Sequence, residues 1–176
     1  MVFILFYIFY GAALIFIISG FLGAPFVPSD PKQVTEIIRV ADIRPGERAA
    51  DLGSGDGRVV LALARAGADA HGYEINPVLV LWSLARIYLA GLRGRAHIHW
   101  GSYWKRDLSS YEVVTIYGAG NIMRRLREKL CRELPRHSRI VCNTFRLPEM
   151  RPLRSHQNIH LYVPRYSETS RNPSVE

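Results

Sequence analysis

Glycines and carboxylates alternate in one short stretch of the chain, DLGSGDGRVV, which begins at Asp51. Gly53, Gly55 and Gly57 occupy every second position, and Asp51 and Asp56 supply two carboxyl groups. Glycine lets the backbone turn sharply and lets a ligand approach with no Cβ atom in the way. A carboxylate attracts a positively charged group. The stretch therefore predicts a loop that binds a ligand carrying a positive charge.

The spacing of the glycines separates two classes of ligand. The dinucleotide fingerprint G-x-G-x-x-G holds a pyrophosphate at a helix N-terminus, and Asp56 would repel that group. A further acid, Glu74, ends the next predicted strand about twenty residues later, where a carboxylate can bind both hydroxyls of a ribose. The inferred ligand is a nucleoside that carries an amino acid and no phosphate, a description that S-adenosylmethionine fits. A dinucleotide site and a glycine-rich turn without a ligand are the alternatives.

Strand and helix patterns alternate along the chain on both sides of this loop. Strands are predicted over 48–52, 70–75, 96–100, 112–117, 139–145 and 159–163. Helices are predicted over 32–40, 58–66, 77–90 and 121–134. This alternation predicts an α/β domain with a mainly parallel sheet. The link before the last strand is too short for a crossover, so that strand is predicted to run antiparallel.

The N-terminal residues form a long apolar run without a charged side chain before Asp30. About twenty residues at ~1.5 Å each reach ~30 Å, which matches the bilayer core. We therefore predict a transmembrane helix over 1–23; a cleaved signal peptide and a helix buried in an oligomer are the alternatives. Lys32, Arg39, Arg44 and Arg48 follow the run, so the positive-inside rule predicts a cytoplasmic domain.

The remaining segments complete the domain organisation. A proline-rich connector is predicted over 24–31, the main domain over 32–164 and a polar, flexible tail over 165–176. Cys131 and Cys142 lack metal-binding or disulfide spacing and are expected to be reduced thiols. The two histidines of HIH (97–99) share one face of a predicted strand, and no metal site is predicted.

Several motifs make the chain resemble the seven-strand S-adenosylmethionine-dependent methyltransferases. They are PFVPS (25–29), DLGSGDGR (51–58), GYEINP (72–77), GSYWKRDLS (101–109), LREKLCRELP (126–135) and TFRLP (144–148). More narrowly, the chain is similar to the protein-lysine methyltransferase family that contains the adenine nucleotide translocase and ATP synthase c-subunit methyltransferases and a small archaeal member. The resemblance implies a Rossmann-like seven-strand sheet, mostly parallel with an antiparallel last strand, after one transmembrane helix.

The resemblance also implies roles for individual residues. Those implied at the methionine end of the cofactor are Asp51, Gly53, Ser54, Gly55, Asp56 and Gly57. Glu74 would bind the ribose, with Ile75 against the adenine and Ser102 and Tyr103 at the adenine's border. Phe26, Pro28 and Tyr117 would shape the lysine channel at the transfer site.

The activity that the resemblance implies is methyl transfer from S-adenosylmethionine to a lysine, with an integral membrane protein as the expected substrate. The basic stretch RRLREKLCRELPRHSR (124–139) is either a solvated helix face or a contact with anionic lipid headgroups. Methylation of RNA, lipid or a small amine is an alternative, as is a non-catalytic membrane adaptor. Nucleic acid is disfavoured because base N-methylation usually uses an Asn/Asp-Pro-Pro-aromatic motif, where this chain has IYGAGN (116–121).

Overall fold

The computed structural model describes residues 29–118 and 120–164, together with Phe3, Phe6, Tyr7, Tyr10 and Gly11. Its helices are α1 (Pro31–Ala41), α2 (Arg58–Arg65), α3 (Pro77–Leu89) and α4 (Met123–Glu133). Its strands are β1 (Arg48–Leu52), β2 (Asp69–Glu74), β3 (Ala96–Trp100), β4 (Val113–Ile116), β5 (Arg139–Asn143), β6 (Arg154–His156) and β7 (Ile159–Tyr162). Short 3₁₀ helices span Tyr103–Lys105 and Gly120–Ile122.

Most of the predicted membrane helix over 1–23 lies outside the described residues. Its described positions are helical, and the side chains of Phe3, Phe6, Tyr7 and Tyr10 are exposed. Within the described part of the chain, no helix combines the length and the apolar character that crossing a membrane requires. The connector predicted over 24–31 is described only from Ser29 onward, and the predicted tail over 165–176 lies outside the described residues.

The strands form one seven-stranded sheet in the order β3-β2-β1-β4-β5-β7-β6. Strands β1 to β5 pair in parallel, whereas β7 runs antiparallel to β5 and β6 antiparallel to β7. The predicted mainly parallel sheet with an antiparallel last strand is confirmed. The strand order reverses at β1, which lies between β2 and β4, and open α/β sheets bind ligands at such a switch point.

The short strand β6 was not predicted, because its three residues are all exposed and lack the alternation that marks a half-buried strand. Gln157 and Asn158 follow it with φ values of 46° and 66°. Two consecutive residues with positive φ form the tight turn of a hairpin. The turn brings His156 opposite Ile159 and adds β6 to the edge of the sheet.

Predicted boundaries differ from the observed ones mainly after β5 and before α4. Strand β5 ends at Asn143 rather than at residue 145, because Thr144 has a φ of 67° and leaves the extended conformation. The chain enters α4 through the 3₁₀ helix Gly120–Ile122, so the helix begins at Met123 rather than at residue 121. The other predicted elements agree with the structure to within one residue at each end.

Helices cover both faces of the sheet. Helices α1, α2 and α3 pack on one face, around a buried cluster that includes Ile37, Leu63 and Ile87. Helix α4 packs on the other face, where Leu126 and Leu130 are fully buried. The loops at the carboxyl ends of the strands are therefore held by a packed core, which is the arrangement that positions binding residues.

Candidate functional site

Side chains that the sequence predicted as ligand contacts gather at the carboxyl ends of the parallel strands. Asp51 lies near the end of β1, and Glu74 is the last residue of β2. Ser102 and Tyr103 follow β3, and Tyr117 follows β4 directly. These ends meet at one edge of the sheet, beside the switch point at which ligands bind in this architecture.

The glycine loop turns between β1 and α2 with a backbone conformation that suits glycine. Gly53, Gly55 and Gly57 have φ values of 84°, 53° and 75°, in the region that other residues rarely adopt. The N–H groups of Gly53 and Ser54 both donate to the carbonyl of Tyr73 at 3.0 Å. The loop is therefore tied to the adjacent strand β2 and turns over the edge of the sheet.

Glu74 is buried and fixed by backbone hydrogen bonds on both carboxylate oxygens. Its Oε2 accepts from the N–H of Gly55 at 2.9 Å, and its Oε1 accepts from the N–H of Asn76 at 2.8 Å. Each carboxylate oxygen can accept more than one hydrogen bond. Glu74 thus connects the glycine loop to the start of α3 and keeps acceptor capacity for a ligand hydroxyl.

Asp51 is a buried carboxyl group without a cationic partner among the described residues. Its Oδ1 accepts a hydrogen bond from the Thr115 hydroxyl at 2.7 Å. Burial raises the pKa of Asp51 to about 7, since removal from water disfavours the charged form. The bond from Thr115 opposes this rise, and the nearby charges of Glu74 and Asp56 add to it. A ligand with a positive amino group would supply the missing counter-charge.

Asp56 differs from Asp51 because its charge is already paired. Arg58 contacts it through Nη2 at 2.8 Å, and Arg86 through Nη1 at 2.6 Å. Burial by itself would raise the pKa of Asp56, but the hydrogen bonds and charges of these arginines lower it below its usual value. The side chain joins the glycine loop to α3, so the two loop aspartates have different environments.

Ser29 fixes the point at which the proline segment enters the domain. Its carbonyl accepts from Arg58 Nη1 at 2.5 Å, and its hydroxyl accepts from Asn143 Nδ2 at 3.2 Å. Arg58 follows the glycine loop and Asn143 ends β5, so this entry point lies at the ligand edge of the sheet. Phe26 and Pro28 lie outside the described residues, and their roles stay predictions.

Residues 51–154 match the ANTKMT methyltransferase domain, a span that includes the glycine loop, Glu74 and Tyr117. The chain belongs to this methyltransferase family. The resemblance inferred from the sequence motifs is confirmed. The expected cofactor, S-adenosylmethionine, agrees with the family match, since a methyltransferase requires a methyl donor.

Two curated relatives agree with the family match. The chain is 39% identical over 128 residues to the human ATP synthase c-subunit lysine N-methyltransferase, a match that covers 73% of this chain and 54% of that protein. It is 33% identical over 130 residues to a protein-lysine N-methyltransferase of Saccharolobus islandicus, covering 73% of this chain and 81% of the relative. The matched region thus spans only about half the length of the human relative.

A solved structure with the same fold is the RNA methyltransferase of Salinibacter ruber in complex with S-adenosyl-L-homocysteine. Its TM-score is 0.78 at 28% identity, and the match covers 81% of this chain and 97% of that one. The Rossmann-like methyltransferase fold expected from the sequence is thereby confirmed.

The other predicted site residues contribute to the edge in different ways. Ser54 turns its side chain toward β2, where its Oγ lies 2.7 Å from the place that a Cβ on Gly72 would take. The Ile75 carbonyl accepts from the Trp100 indole at 3.1 Å. Tyr103 is half-buried, and burial raises its pKa. Ser102 caps the 3₁₀ helix that contains Tyr103, so both residues are positioned beside β3.

The structure adds residues that the sequence analysis did not select. Thr115 lies opposite Asp51 in the pairing of β1 with β4, which explains their hydrogen bond. Asn143 ends β5 and is buried, and it reaches the entry point at Ser29. The sequence signal that could have selected Thr115 and Asn143 is a polar residue near or at the end of an otherwise apolar strand.

Gly57 offers a test of how tightly the loop is packed. A Cβ at this position would lie 2.9 Å from both Cβ and Oγ of Ser83 in α3, and Gly57 has a φ of 75°. At Gly46 the φ is 87° but nothing lies within 4 Å. Both alanine substitutions incur a left-handed backbone penalty of about 1–2 kcal/mol, whereas G57A adds overpacking of about 1–3 kcal/mol. Urea unfolding should show the larger loss of stability for G57A; equal losses would contradict the close packing.

A second group of ionisable side chains lies near the amino ends of β2 and β3. The Asp69 carboxylate lies 3.2 Å from Nε2 of His71 and 3.2 Å from Nε2 of His97, a grouping that could hold a metal ion. Arg48 Nε lies 3.4 Å from Asp69 Oδ2, and its Nη2 lies 3.4 Å from His71 Nε2. A guanidinium thus already serves as the cation there. The sequence analysis considered only His97 and His99 together, because Asp69, His71 and Arg48 join this group only through the register of the strands.

The lowered pKa values of His71 and His99 predict a contribution to stability that is lost on mild acidification, opposite in sign to the contribution of Asp51 over the same range. Burial lowers the pKa of His71, which the hydrogen bond with Asp69 only partly opposes, and the charges of Arg48 and His97 lower it further. Burial also lowers the pKa of His99. Below an unfolded-state histidine pKa of about 6.5, these groups bind more protons in the unfolded chain than in the folded one. Their contribution to the free energy of unfolding therefore decreases as the pH decreases.

Urea unfolding at about pH 7.5 and about pH 5.5 measures this effect on either side of the unfolded-state histidine pKa. Relative to wild type, H71Q should shift the free energy of unfolding at the lower pH, minus that at the higher pH, to a more positive value, and substitution of the exposed His137 by glutamine should leave this difference unchanged. The same pH dependence in H71Q and wild type would contradict the assignment.

Proposed function

We propose that this protein is a membrane-anchored, S-adenosylmethionine-dependent N-methyltransferase that methylates a lysine side chain of an integral membrane protein. The observation that carries the cofactor assignment is the pair of buried carboxylates at adjacent strand ends. Asp51 has no cationic partner among the described residues and suits the amino group of the methionine moiety, and Glu74 is fixed where it can accept from ribose hydroxyls. The positive φ values of Gly53, Gly55 and Gly57 let the loop approach the ligand closely.

The reaction requires a neutral amine that is aligned with the methyl group. When bound, S-adenosylmethionine would supply a methyl group on a sulfonium: a bond from the amine nitrogen to the methyl carbon would form as the carbon–sulfur bond breaks, and the neutral thioether would leave. A lysine with a pKa of ~10.4 is mostly protonated at pH 7, so its deprotonation requires about 4–5 kcal/mol. Tyr117 is half-buried beyond β4, and with Phe26 and Pro28 it would form a channel that disfavours the ammonium by desolvation. Such a channel also orients the amine, and orientation lowers the barrier.

The membrane terms of the proposal rest on the sequence. The apolar run that ends near Leu22 has the length of a bilayer core. The basic residues after it support a cytoplasmic domain, as the positive-inside rule expects. Protease treatment of sealed membrane vesicles tests this orientation, since a domain digested from the non-cytoplasmic face would contradict it.

The substrate term rests on the relatives. The human relative is named for a lysine of the ATP synthase c-subunit, so a rotor-ring protein is the first candidate for this chain's substrate. The Salinibacter ruber neighbour is named an RNA methyltransferase, which makes RNA the second candidate to test.

The proposed function is tested by adding the purified protein and methyl-radiolabelled S-adenosylmethionine to native membranes that lack this protein. Wild type should label a lysine of a membrane protein, located by gel and mass spectrometry, and E74Q should not. E112Q is the matched control, because Glu112 accepts the Arg48 N–H at 2.9 Å beside the amino end of β1, far from the ligand edge. Label in RNA or lipid would overturn the substrate and keep the cofactor; no label despite cofactor binding would favour a non-catalytic adaptor.

A further inference from the structure

Helix α3 exposes an apolar face to solvent. Its buried side consists of Leu79, Val80, Ser83 and Ile87. The opposite side is uncharged, and its exposed members are Leu81, Trp82, Leu84, Ala85, Tyr88 and Leu89. Leu89 is 82% exposed and Leu81 69% exposed. Apart from Ser83 and Arg86, the helix is apolar on every side. Helices of this composition are normally covered on all sides, so this face is suited to an apolar surrounding rather than to water.

The exposed surface continues beyond the helix toward the ligand edge. Trp100 is 66% exposed, and its indole is held by the hydrogen bond to the Ile75 carbonyl just before α3. An open groove of about 660 Å³ runs along the start of the helix, lined by Val78, Leu79, Leu81, Trp82 and Ala85 with Asp56 and Arg58. We call the exposed side of α3 together with Trp100 the α3 face.

Aromatic and basic residues give the α3 face the composition of a membrane interface. Trp82, Tyr88 and Trp100 are amphipathic rings of the kind enriched at the level of lipid headgroups. The Arg93 guanidinium stacks 3.8 Å from the Tyr88 ring centre, and Arg95 is exposed nearby. The whole chain carries a net charge of +8. Anionic headgroups would complement these arginines while the apolar side chains enter the acyl boundary.

The path of the chain brings this face close to the proposed membrane helix. Arg58 lines the groove and also holds the Ser29 carbonyl, so the N-terminal segment joins the domain at the end of the groove. The residues between Leu22 and Ser29 span at most about 24 Å when extended. The described side chains Phe3, Phe6 and Tyr7 are themselves exposed.

We propose that the α3 face lies in the headgroup region of an anionic phospholipid bilayer, which holds the ligand edge of the sheet beside the membrane surface. The inference rests on the proposed membrane anchoring and adds the surface that orients the domain. The basic helix α4 packs on the other face of the sheet, so it would point away from this bilayer.

The three tryptophans of the chain allow a direct test. Trp82 and Trp100 belong to the α3 face, whereas Trp104 is half-buried under Arg125 of α4, with the guanidinium 4.4 Å from the ring centre. Full-length variants that keep one tryptophan, with phenylalanine at the other two positions, are reconstituted in phosphatidylcholine–phosphatidylglycerol vesicles with brominated acyl chains. Bromine should reduce the fluorescence of Trp82 and Trp100 at least about twofold, as expected at interfacial depth, and leave Trp104 unchanged.

Aqueous iodide provides the complementary measurement. Trp82 that is quenched by iodide and not by brominated lipid would overturn the proposal, because the face would be in water. Protection from both quenchers would also overturn it, since protein, such as the N-terminal segment or a second copy, would cover the face. Quenching of Trp104 by brominated lipid instead would assign the membrane contact to the basic helix.

Further readouts separate this inference from the proposed function. Flotation of the full chain with vesicles reports membrane association through any contact. A chain that floats with unquenched Trp82 would contradict only the α3 contact, and a chain that does not float would contradict both the anchoring and the α3 contact. The double variant L81Q/L89Q should lower methylation of membrane-embedded substrate several-fold and leave that of detergent-solubilised substrate unchanged. Equal activity of this variant on both forms would contradict the proposal.

Discussion

Replacing Glu74 with glutamine is expected to weaken S-adenosylmethionine binding by about 100-fold, on the basis of two charge-assisted hydrogen bonds to a ribose. The buried carboxylate also accepts the N–H groups of Gly55 and Asn76 at 2.9 and 2.8 Å. A glutamine side chain would direct an amide donor at one of these N–H groups, so the glycine loop would shift as well. Both effects act on the same ligand, and isothermal titration calorimetry measures their sum.

The control for this prediction is E112Q, since Glu112 is a half-buried glutamate that, like Glu74, accepts a backbone N–H. It lies at the opposite edge of the sheet, so the dissociation constant should stay at the wild-type value. Circular dichroism of both variants checks that the fold is retained. Cofactor affinity of E74Q within threefold of wild type, as a rough limit for losing a contact to a charged group, would remove Glu74 from the site.

Cofactor binding is expected to weaken as the pH falls below about 7, because Asp51 has a pKa of about 7 in the ligand-free protein. A bound amino group favours the ionised carboxylate, so binding below this pH releases a proton. The affinity should therefore fall up to about tenfold for each pH unit below the pKa and level off above it. Titration calorimetry in buffers of different ionisation enthalpy measures both the affinity and the released proton.

The variant D51N should bind about 30-fold more weakly at pH 8 and lose this pH dependence, since a charged contact is replaced by a neutral one. T115V should shift the pH dependence upward, because the Thr115 hydroxyl donates to Asp51 at 2.7 Å and opposes the rise of its pKa. Retention of the wild-type pH profile in D51N would show that another group titrates.

Stability distinguishes a binding role of Asp51 from a structural one. Its pKa is raised in the folded state from 3.8 to about 7, so the folded protein binds more protons than the unfolded chain between these values. The free energy of unfolding contributed by this group therefore falls as the pH rises through that range. Ligand-free D51N should unfold at pH 8 no more easily than wild type, although it binds cofactor poorly.

Local patterns in the sequence determined the class of the fold and the position of the ligand edge. The glycines of 53–57 indicated a loop after a strand. Glycine is required where the backbone adopts positive φ or where a ligand approaches the backbone closely, and the structure has positive φ at these glycines. Glu74 was recognisable because it ends a strand at a fixed distance from the loop. The parallel strands and helices followed from periodicity, which local contacts along the chain produce.

Tertiary contacts decided what each charged or polar side chain meets. Asp51 and Asp56 look alike in the sequence, but Arg86 pairs with Asp56 from thirty positions away, whereas no cation of the described part of the chain pairs with Asp51. Asn143 meets Ser29 across a separation of 114 positions. Such pairings depend on strand order and register, which no local pattern contains.

The exposed side of α3 shows that burial is also decided by the tertiary structure. The sequence PVLVLWSLARIYL describes an apolar helix, and its composition is that of a helix covered on all sides. Only the structure shows that the sheet covers one side and that Trp82 and Leu89 remain exposed on the other. Hydrophobicity is a property of the residues along the chain, whereas burial depends on which elements reach them in the folded domain.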